Sequence, residues 1–370
     1  MFKKMRIAFY IPILNVGGAE KVIINLLKQL SLNQKDNYFL ITDATHSSWI
    51  REIDSKISIL HVDSGRNIFI RLHNIKKVIQ ENKIELVVSH LTHANIHCLL
   101  LKILSSFKLI IVEHSITSYY IKTLRHYSFK ITEFLIKFLY NYADLIVCVS
   151  ETSKDDLINK FKIRSNKCHV IYNPIDFDSI RLLSKEPLPL KVNEFIATRR
   201  YIVTIGRLEI LKNHGFLIQS LKNYLIENNL VLLIIGDGNE KNNLQYKINE
   251  YSLNENVLLI GYDLNPYKFI SKSNLLIHPS KFEGFGLVLI ESLFLLKPVI
   301  SFNFQVAYEV LENGRFGSIV YDEATLIEAL DLKLNSSNEN FKIDFSKQVY
   351  DSYNLGVISN QYHDFFVLIS

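Results

Sequence analysis

Glu283 and Glu291 stand with seven residues between them in a stretch that opens His278-Pro279-Ser280-Lys281-Phe282-Glu283-Gly284-Phe285-Gly286-Leu287. The pattern reads as a strand end, a Gly-Phe-Gly turn with exposed amides, and a helix beginning near Leu287. Glu291 then falls inside an otherwise apolar helix (Leu287, Val288, Leu289, Ile290, Leu293, Phe294), where a carboxylate is costly unless it has a partner. Carboxylates make bidentate partners for vicinal hydroxyls, as the acidic residue on the ribose does in dinucleotide folds. The competing reading is a surface glutamate at the edge of an amphipathic helix.

A second candidate is Val203-Thr204-Ile205-Gly206-Arg207-Leu208, followed by Lys212-Asn213. Two cations and the free amides of a helix start in one loop suit a diphosphate, although a solvated basic turn has the same composition. Near the N-terminus, Asn15-Val16-Gly17-Gly18-Ala19-Glu20 allows close backbone approach and could bind an anion, but any tight strand-to-helix turn can use two glycines. His114, in Glu113-His114-Ser115, lies at a strand end, as do His90 and His93 nearby. No G-x-x-x-x-G-K-[ST] or G-x-G-x-x-G occurs, so neither a P-loop nor a dinucleotide fingerprint is supported.

The elements that must position these residues alternate throughout. Apolar, β-branched runs at 5–13, 38–42, 57–62, 86–90, 109–113, 145–149 and 169–172 predict strands in the first half. Runs at 201–205, 231–235, 257–260, 275–278, 298–302 and 318–320 do so in the second. Helical periods fall between them, for example at 20–30, 68–80, 153–161, 215–227 and 287–296, with a last one at 353–368. This is the pattern of parallel sheets covered on both faces, occurring twice. It predicts an α/β chain of two facing doubly wound, Rossmann-like domains, with a cleft lined by strand-end loops. The periodicity breaks at 179–200, around Pro187 and Pro189. The domains are therefore placed at 1–178 and 179–350, with a C-terminal helix in 351–370 packing back toward the first.

The chain has 370 residues, 48% hydrophobic and 21% charged, which excludes a disordered or low-complexity chain. The net charge of +5 divides unevenly: residues 1–180 hold 24 Lys+Arg against 16 Asp+Glu, and residues 181–370 hold 18 against 21. Cys98, Cys148 and Cys168 are sparse and odd in number, as expected of reduced core cysteines in a cytoplasmic protein. Lys3, Lys4 and Arg6 before an apolar run could open a signal peptide, but a first strand feeding the glycine turn accounts for the same residues. No charge-free apolar window reaches the length of a membrane span.

Residues 119–142 predict one long helix. Ile121, Leu124, Ile131, Phe134, Leu135 and Phe138 mark an apolar face; Lys122, His126, Lys130 and Lys137 mark a stripe, with Arg125 beside it and Glu133 as the exception. Such a helix suits an anionic membrane surface or the pyrophosphate of a lipid-linked acceptor, and equally a core helix with a solvated basic face. Nucleic acid is not indicated, since no basic-aromatic patch occurs.

Taken in order, Gly-Gly-Ala-Glu, Asn173-Pro174-Ile175-Asp176, Gly-Arg-Leu with Lys-Asn, Ile234-Ile235-Gly236-Asp237-Gly238 and the E-x7-E stretch resemble glycosyltransferase family 4. The resemblance covers nearly the whole chain and implies a retaining, nucleotide-sugar-dependent enzyme of the GT-B fold. It implies that Arg207 and Lys212 bind the donor diphosphate and stabilise the leaving group, that Glu291 holds the ribose, and that Glu283 holds the donor sugar. Gly284, Phe285, Gly286 and Leu287 would cradle sugar and phosphates, Gly17 and Gly18 would close over them, and the base would lie near Gly236, Gly261 and Tyr262. His114 matches a histidine placed beside the donor sugar. Lys122, Arg125, His126 and Lys130 are the acceptor or membrane candidates.

No metal or other cofactor is implied beyond the nucleotide-sugar co-substrate. Asn303-Phe304-Gln305-Val306-Ala307 departs from the Gly/Pro-rich turn of many relatives. The expected activity is transfer of a hexose or N-acetylhexosamine, from a UDP-sugar, to a polyprenyl-diphosphate-linked glycan on the inner face of the cytoplasmic membrane. The alternatives are a sugar-nucleotide epimerase or a non-catalytic scaffold.

Overall fold

The computed structural model describes residues 4–14, 17–33, 35–43, 50, 53, 55–62, 67–124, 126–335 and 345–370. The chain divides into two compact units: Met1–Ile175 with Ser352–Ser370, and Asp176–Asp351. The boundary expected at 178/179 lies inside a helix, Phe177–Leu183, whose start is fixed by Asp176: its carboxylate accepts from the Ser179 amide at 2.9 Å.

In the first unit the order is β1 (Arg6–Tyr10), α1 (Gly18–Asn33), β2 (Asn37–Thr42), β3 (Ser58–His61), α2 (Ile68–Glu81), β4 (Leu86–His90) and α3 (Thr92–Ile103). It continues through β5 (Lys108–Glu113), α4 (Thr117–Lys122), α5 (His126–Leu139), β6 (Leu145–Cys148), α6 (Glu151–Phe161) and β7 (Cys168–Val170). All seven strands are parallel, in the order β3-β2-β1-β4-β5-β6-β7. β4 is buried along its whole length, which is why these strands read as continuous apolar runs and not as alternating ones. Cys98, Cys148 and Cys168 are free and buried in this unit.

The second unit runs α7 (Phe177–Leu183), α8 (Leu190–Ile196), β8 (Tyr201–Ile205), α9 (His214–Glu227), β9 (Val231–Ile235), α10 (Lys241–Glu250), β10 (Val257–Gly261) and α11 (Tyr267–Lys272). Then come β11 (Leu275–His278), α12 (Leu287–Phe294), β12 (Val299–Phe302), α13 (Gln305–Val310), β13 (Ser318–Val320), α14 (Glu323–Asn335) and α15 (Phe345–Tyr353), whose last two residues belong to the first unit. Its sheet is also parallel, in the order β10-β9-β8-β11-β12-β13. α16 (Leu355–Ile369) returns to the first unit and packs on α1, with Phe366 set edge-on to Phe9 at 6.4 Å.

Each sheet reverses its winding once, between β1 and β4 and between β8 and β11. At such a reversal the two flanking loops leave in opposite directions and open a crevice beyond the carboxyl ends of the strands. Gly17 and Gly18 follow β1 while His90 ends β4 and His114 follows β5. The loop holding Arg207 and Lys212 follows β8, and that holding Glu283 follows β11. The topology thus brings residues far apart in sequence to two strand edges.

The single helix expected over 119–142 is broken. α4 ends at Lys122, where the Thr123 hydroxyl donates to the Tyr120 carbonyl at 2.7 Å and the Leu124 amide turns back to Ile121, one residue tighter than a helix bond. Only Ile121 of the expected apolar face is fully buried. Farther along, α5 buries Thr132, Ile136 and Leu139, while Ile131, Phe134 and Phe138 lie exposed on another side. Helical spacing alone marks both faces as apolar and does not say which one meets the core.

Candidate functional site

In the second unit, three strand-end loops are laced together by their backbones. Gly206 and Leu208 donate to the carbonyls of Ile235 (3.0 Å) and Asp237 (2.9 Å), and Gly236 donates to Gly261 (2.8 Å). The approach is so close that a Cβ at Gly236 would lie 1.9 Å from the Gly206 oxygen, and one at Gly238 would lie 2.4 Å from the Leu208 oxygen. Gly236 also has φ +148°. These glycines are therefore required by the meeting of two main chains. Gly261 has φ +86° with nothing near its Cβ direction, and Tyr262 beside it is half exposed.

Against this platform, Lys212 sits in a short 3-10 turn before α9, and Glu283 sits in the loop after β11. The Lys281 amide donates to the Leu211 carbonyl at 3.0 Å, tying the two loops together. The Lys212 ammonium pairs with Glu283 Oε1, and His278 Nε2 meets the same oxygen at 2.9 Å. Burial would raise the Glu283 carboxyl, but the Lys212 charge and the hydrogen bond and charge of His278 outweigh it and hold the group well below the usual carboxylate range. Burial, then the neighbouring charges of His278 and Lys212, push His214 down to about 3.

Phe304, the residue before α13, is buried and set edge-on to His278 at 5.6 Å. The departing segment at 303–307 is thus an aromatic backing for the histidine. The other glutamate is held separately: Glu291, 7% exposed, accepts from the Tyr267 hydroxyl at 2.9 Å. Phe285 is buried, and Gly286 caps α12 with φ +84°.

Arg207 is in the expected loop, but its exposed guanidinium pairs with Glu209 at 2.9 Å, away from the Lys212–Glu283 pair. His278, His214 and Tyr267 were not among the residues singled out by sequence. His278 immediately before Pro279 at a strand end was the available signal; Tyr267 gave none, since its partner lies 24 residues away.

In the first unit, His114 Nε2 lies 2.9 Å from His90 Nδ1. Next to it Glu113 is fully buried and accepts from Asn95 (2.8 Å), Thr92 (3.0 Å), Thr117 (3.4 Å) and Tyr140. Burial raises this carboxyl and those four donors oppose the rise. Gly17 and Gly18 are at the start of α1; a Cβ on Gly17 would fall 2.4 Å from the Glu20 carboxylate. Lys122 lies over the Tyr119 ring (5.3 Å) and Lys130 is exposed. Arg125 lies outside the described residues, and only the backbone of His126 is described.

The second unit thus carries a strand-end carboxylate paired with a cation at the sheet reversal, beside glycine loops packed main chain to main chain. Across the whole chain the fold is that of GT-B glycosyltransferases: Anabaena HepE, solved with UDP and glucose, superposes with a TM-score of 0.82 over 98% of this chain and 100% of that one, at 18% identity. Residues 16–179 match the family model described as Glycosyltransferase Family 4, and residues 190–348 match Glycosyl transferases group 1.

The N-acetylgalactosamine-N,N'-diacetylbacillosaminyl-diphospho-undecaprenol 4-alpha-N-acetylgalactosaminyltransferase of Campylobacter jejuni is 31% identical over 322 residues, covering 85% of this chain and 86% of its own. An Escherichia coli relative, UDP-Gal:alpha-D-GlcNAc-diphosphoundecaprenol alpha-1,3-galactosyltransferase, is 25% identical over 233 residues, covering 60% of this chain and 58% of its own. The chain belongs to glycosyltransferase family 4 and is a glycosyltransferase.

The lowered Glu283 carboxyl gives a stability test. A carboxyl held below its unfolded value of about 4.3 adds stability that is complete above that value and is lost as pH falls toward the folded one. Urea unfolding at pH 5 and pH 3 should therefore show a larger loss for the wild type than for Glu283→Gln. Equal losses would mean that the Lys212 and His278 contacts do not bias the carboxyl.

Proposed function

We propose that the chain moves a hexose or N-acetylhexosamine from a UDP-sugar, with retention of anomeric configuration, to a polyprenyl-diphosphate-linked glycan during assembly of a bacterial surface polysaccharide or glycoprotein glycan. The Lys212–Glu283–His278 cluster at the sheet reversal carries this reading. Two relatives are named for undecaprenyl-diphosphate-linked acceptors, and one of them for a UDP-linked donor.

In this reading Lys212, and Arg207 once released from Glu209, meet the diphosphate, whose negative charge grows as the glycosidic bond breaks. Glu283 accepts from hydroxyls of the transferred sugar and Glu291 from those of the ribose. The amides of Gly284, Phe285, Gly286 and Leu287 face sugar and phosphate, and Gly236, Gly261 and Tyr262 lie toward the base. The leaving phosphate oxygen takes the acceptor proton on the same face, so neither a covalent nucleophile nor a metal is assigned a role. Purified protein given UDP-sugars and a polyprenyl-diphosphate glycan should release UDP and form the retained anomer, and Glu283→Gln should slow transfer by about 10²–10³-fold. An inverted product, or sugar epimerised without acceptor, would overturn the proposal.

The same reading makes the protein peripheral on the inner face of the cytoplasmic membrane. Among the described residues no helix is long and apolar enough to cross a membrane. α5 offers the surface that supports this reading: Ile131, Phe134 and Phe138 are exposed in one stripe, with Phe134 and Phe138 stacked at 6.1 Å, and Lys130 and Lys137 flank it. Apolar side chains would enter the lipid boundary while lysines meet anionic headgroups. Phosphatidylglycerol-containing vesicles should sediment the protein, phosphatidylcholine vesicles should do so less, and a Phe134→Ser/Phe138→Ser variant should stay in the supernatant. Binding that ignores both lipid charge and the substitution would contradict this orientation.

A further inference from the structure

α12 carries a single carboxylate, Glu291, which is buried in the helix together with Leu289, Ile290, Ser292 and Leu293. An ionised carboxylate in such surroundings needs a donor. One comes from another helix: the Tyr267 hydroxyl, at the start of α11, donates to Glu291 Oε1 at 2.9 Å. Tyr267 is itself only 3% exposed, so its ring is fixed by packing and its hydroxyl has one place to be.

The backbone of Tyr267 is fixed as well. Its amide donates to Asn265 Oδ1 at 3.2 Å, while Asn265 Nδ2 donates to the Leu183 carbonyl at 2.9 Å and to the Glu186 carboxylate at 2.8 Å. Two acceptors on one side of this amide and a donor on the other allow only one orientation of Asn265. Pro266, between the two residues, holds the chain at φ −70°. The Asn265 amide is tied in turn to the Asp263 carboxylate at 2.8 Å, and Lys268 pairs with that carboxylate at 2.9 Å. The start of α11 is thus pinned to the end of α7, and the pinning ends at Glu291.

A glutamate turns about three side-chain bonds, and a hydrogen bond to one oxygen restricts the swing of the whole carboxylate. A carboxylate has about four acceptor positions, so one bond from Tyr267 orients the group without saturating it. A vicinal diol binds best to a carboxylate whose plane is set in advance, because the ordering cost is then not met at binding. We propose that Tyr267 is a positioning residue for the ribose: it sets the plane of the Glu291 carboxylate, and the preference for a nucleotide with a vicinal diol depends on that bond. The proposal rests on the reading of Glu291 given under Proposed function, and the test separates the two.

The test is calorimetric titration with UDP and with 2′,3′-dideoxy-UDP. The wild type should bind UDP at least about tenfold tighter. Tyr267→Phe should cut that ratio to about threefold or less, weakening UDP and leaving the dideoxy nucleotide nearly unchanged. A purely structural role would weaken both nucleotides alike and keep the ratio, which would overturn the proposal. Because Tyr267→Phe leaves a buried carboxylate short of a donor, Glu291→Gln, which removes the charge, closes the cycle. Tyr267→Phe/Glu291→Gln should show the same ratio as Glu291→Gln alone; a further fall would mean that Tyr267 acts by another route and would also overturn it. A wild type that binds both nucleotides equally would remove the ribose reading, and the positioning role with it. A wild-type preference that survives Tyr267→Phe would remove the positioning role alone.

Discussion

One carboxylate oxygen, Oε1 of Glu283, is shared by the ammonium of Lys212 and the imidazole of His278, and the second unit is arranged around that sharing. The two loops involved are separated by about seventy residues of chain and meet only because β8 and β11 are neighbours at the reversal of the sheet. A carboxylate that is largely removed from water needs compensating charge and hydrogen bonds; removing either partner would leave it poorly compensated. The glycines at 236 and 238 serve the same end from below, since any side chain there would push the β8 and β9 loops apart and move Lys212 with them.

The first unit solves the equivalent position differently. Its strand-end carboxylate, Glu113, is sealed by hydroxyls and an amide, and the neighbouring imidazoles are neutral. One strand edge carries an ammonium–carboxylate pair; the other carries neutral imidazoles beside a carboxylate enclosed by four donors. Part of the excess of lysine and arginine in residues 1–180, Lys130 and Lys137, lies beside the exposed aromatic stripe of α5.

Much of the fold was legible in the sequence because parallel strands buried on both faces leave an unbroken apolar signature. The thirteen runs read from the residues correspond to β1–β13 with end shifts of a few residues. The failure at 119–142 has a local cause, a threonine hydroxyl competing for a helix carbonyl, in a segment apolar on two sides. At the site, Glu283, Glu291 and Lys212 were found by residue type and spacing, yet their partners were not. Tyr267 reaches Glu291 from a different element, His278 stands in the same stretch as Glu283 but nothing in the spacing pairs them, and the pairing of Arg207 with Glu209 depends on a side-chain torsion that no spacing encodes.

The central claim is that the donor's second phosphate is recognised at the Lys212–Glu283 edge, and calorimetric titration of UDP against UMP measures that increment alone. UDP should bind at least about tenfold tighter than UMP, a difference of roughly 1.4 kcal/mol. Lys212→Ala should erase the gap while leaving UMP affinity unchanged. Equal affinities for UDP and UMP in the wild type, or a Lys212→Ala variant that keeps the gap, would contradict the account.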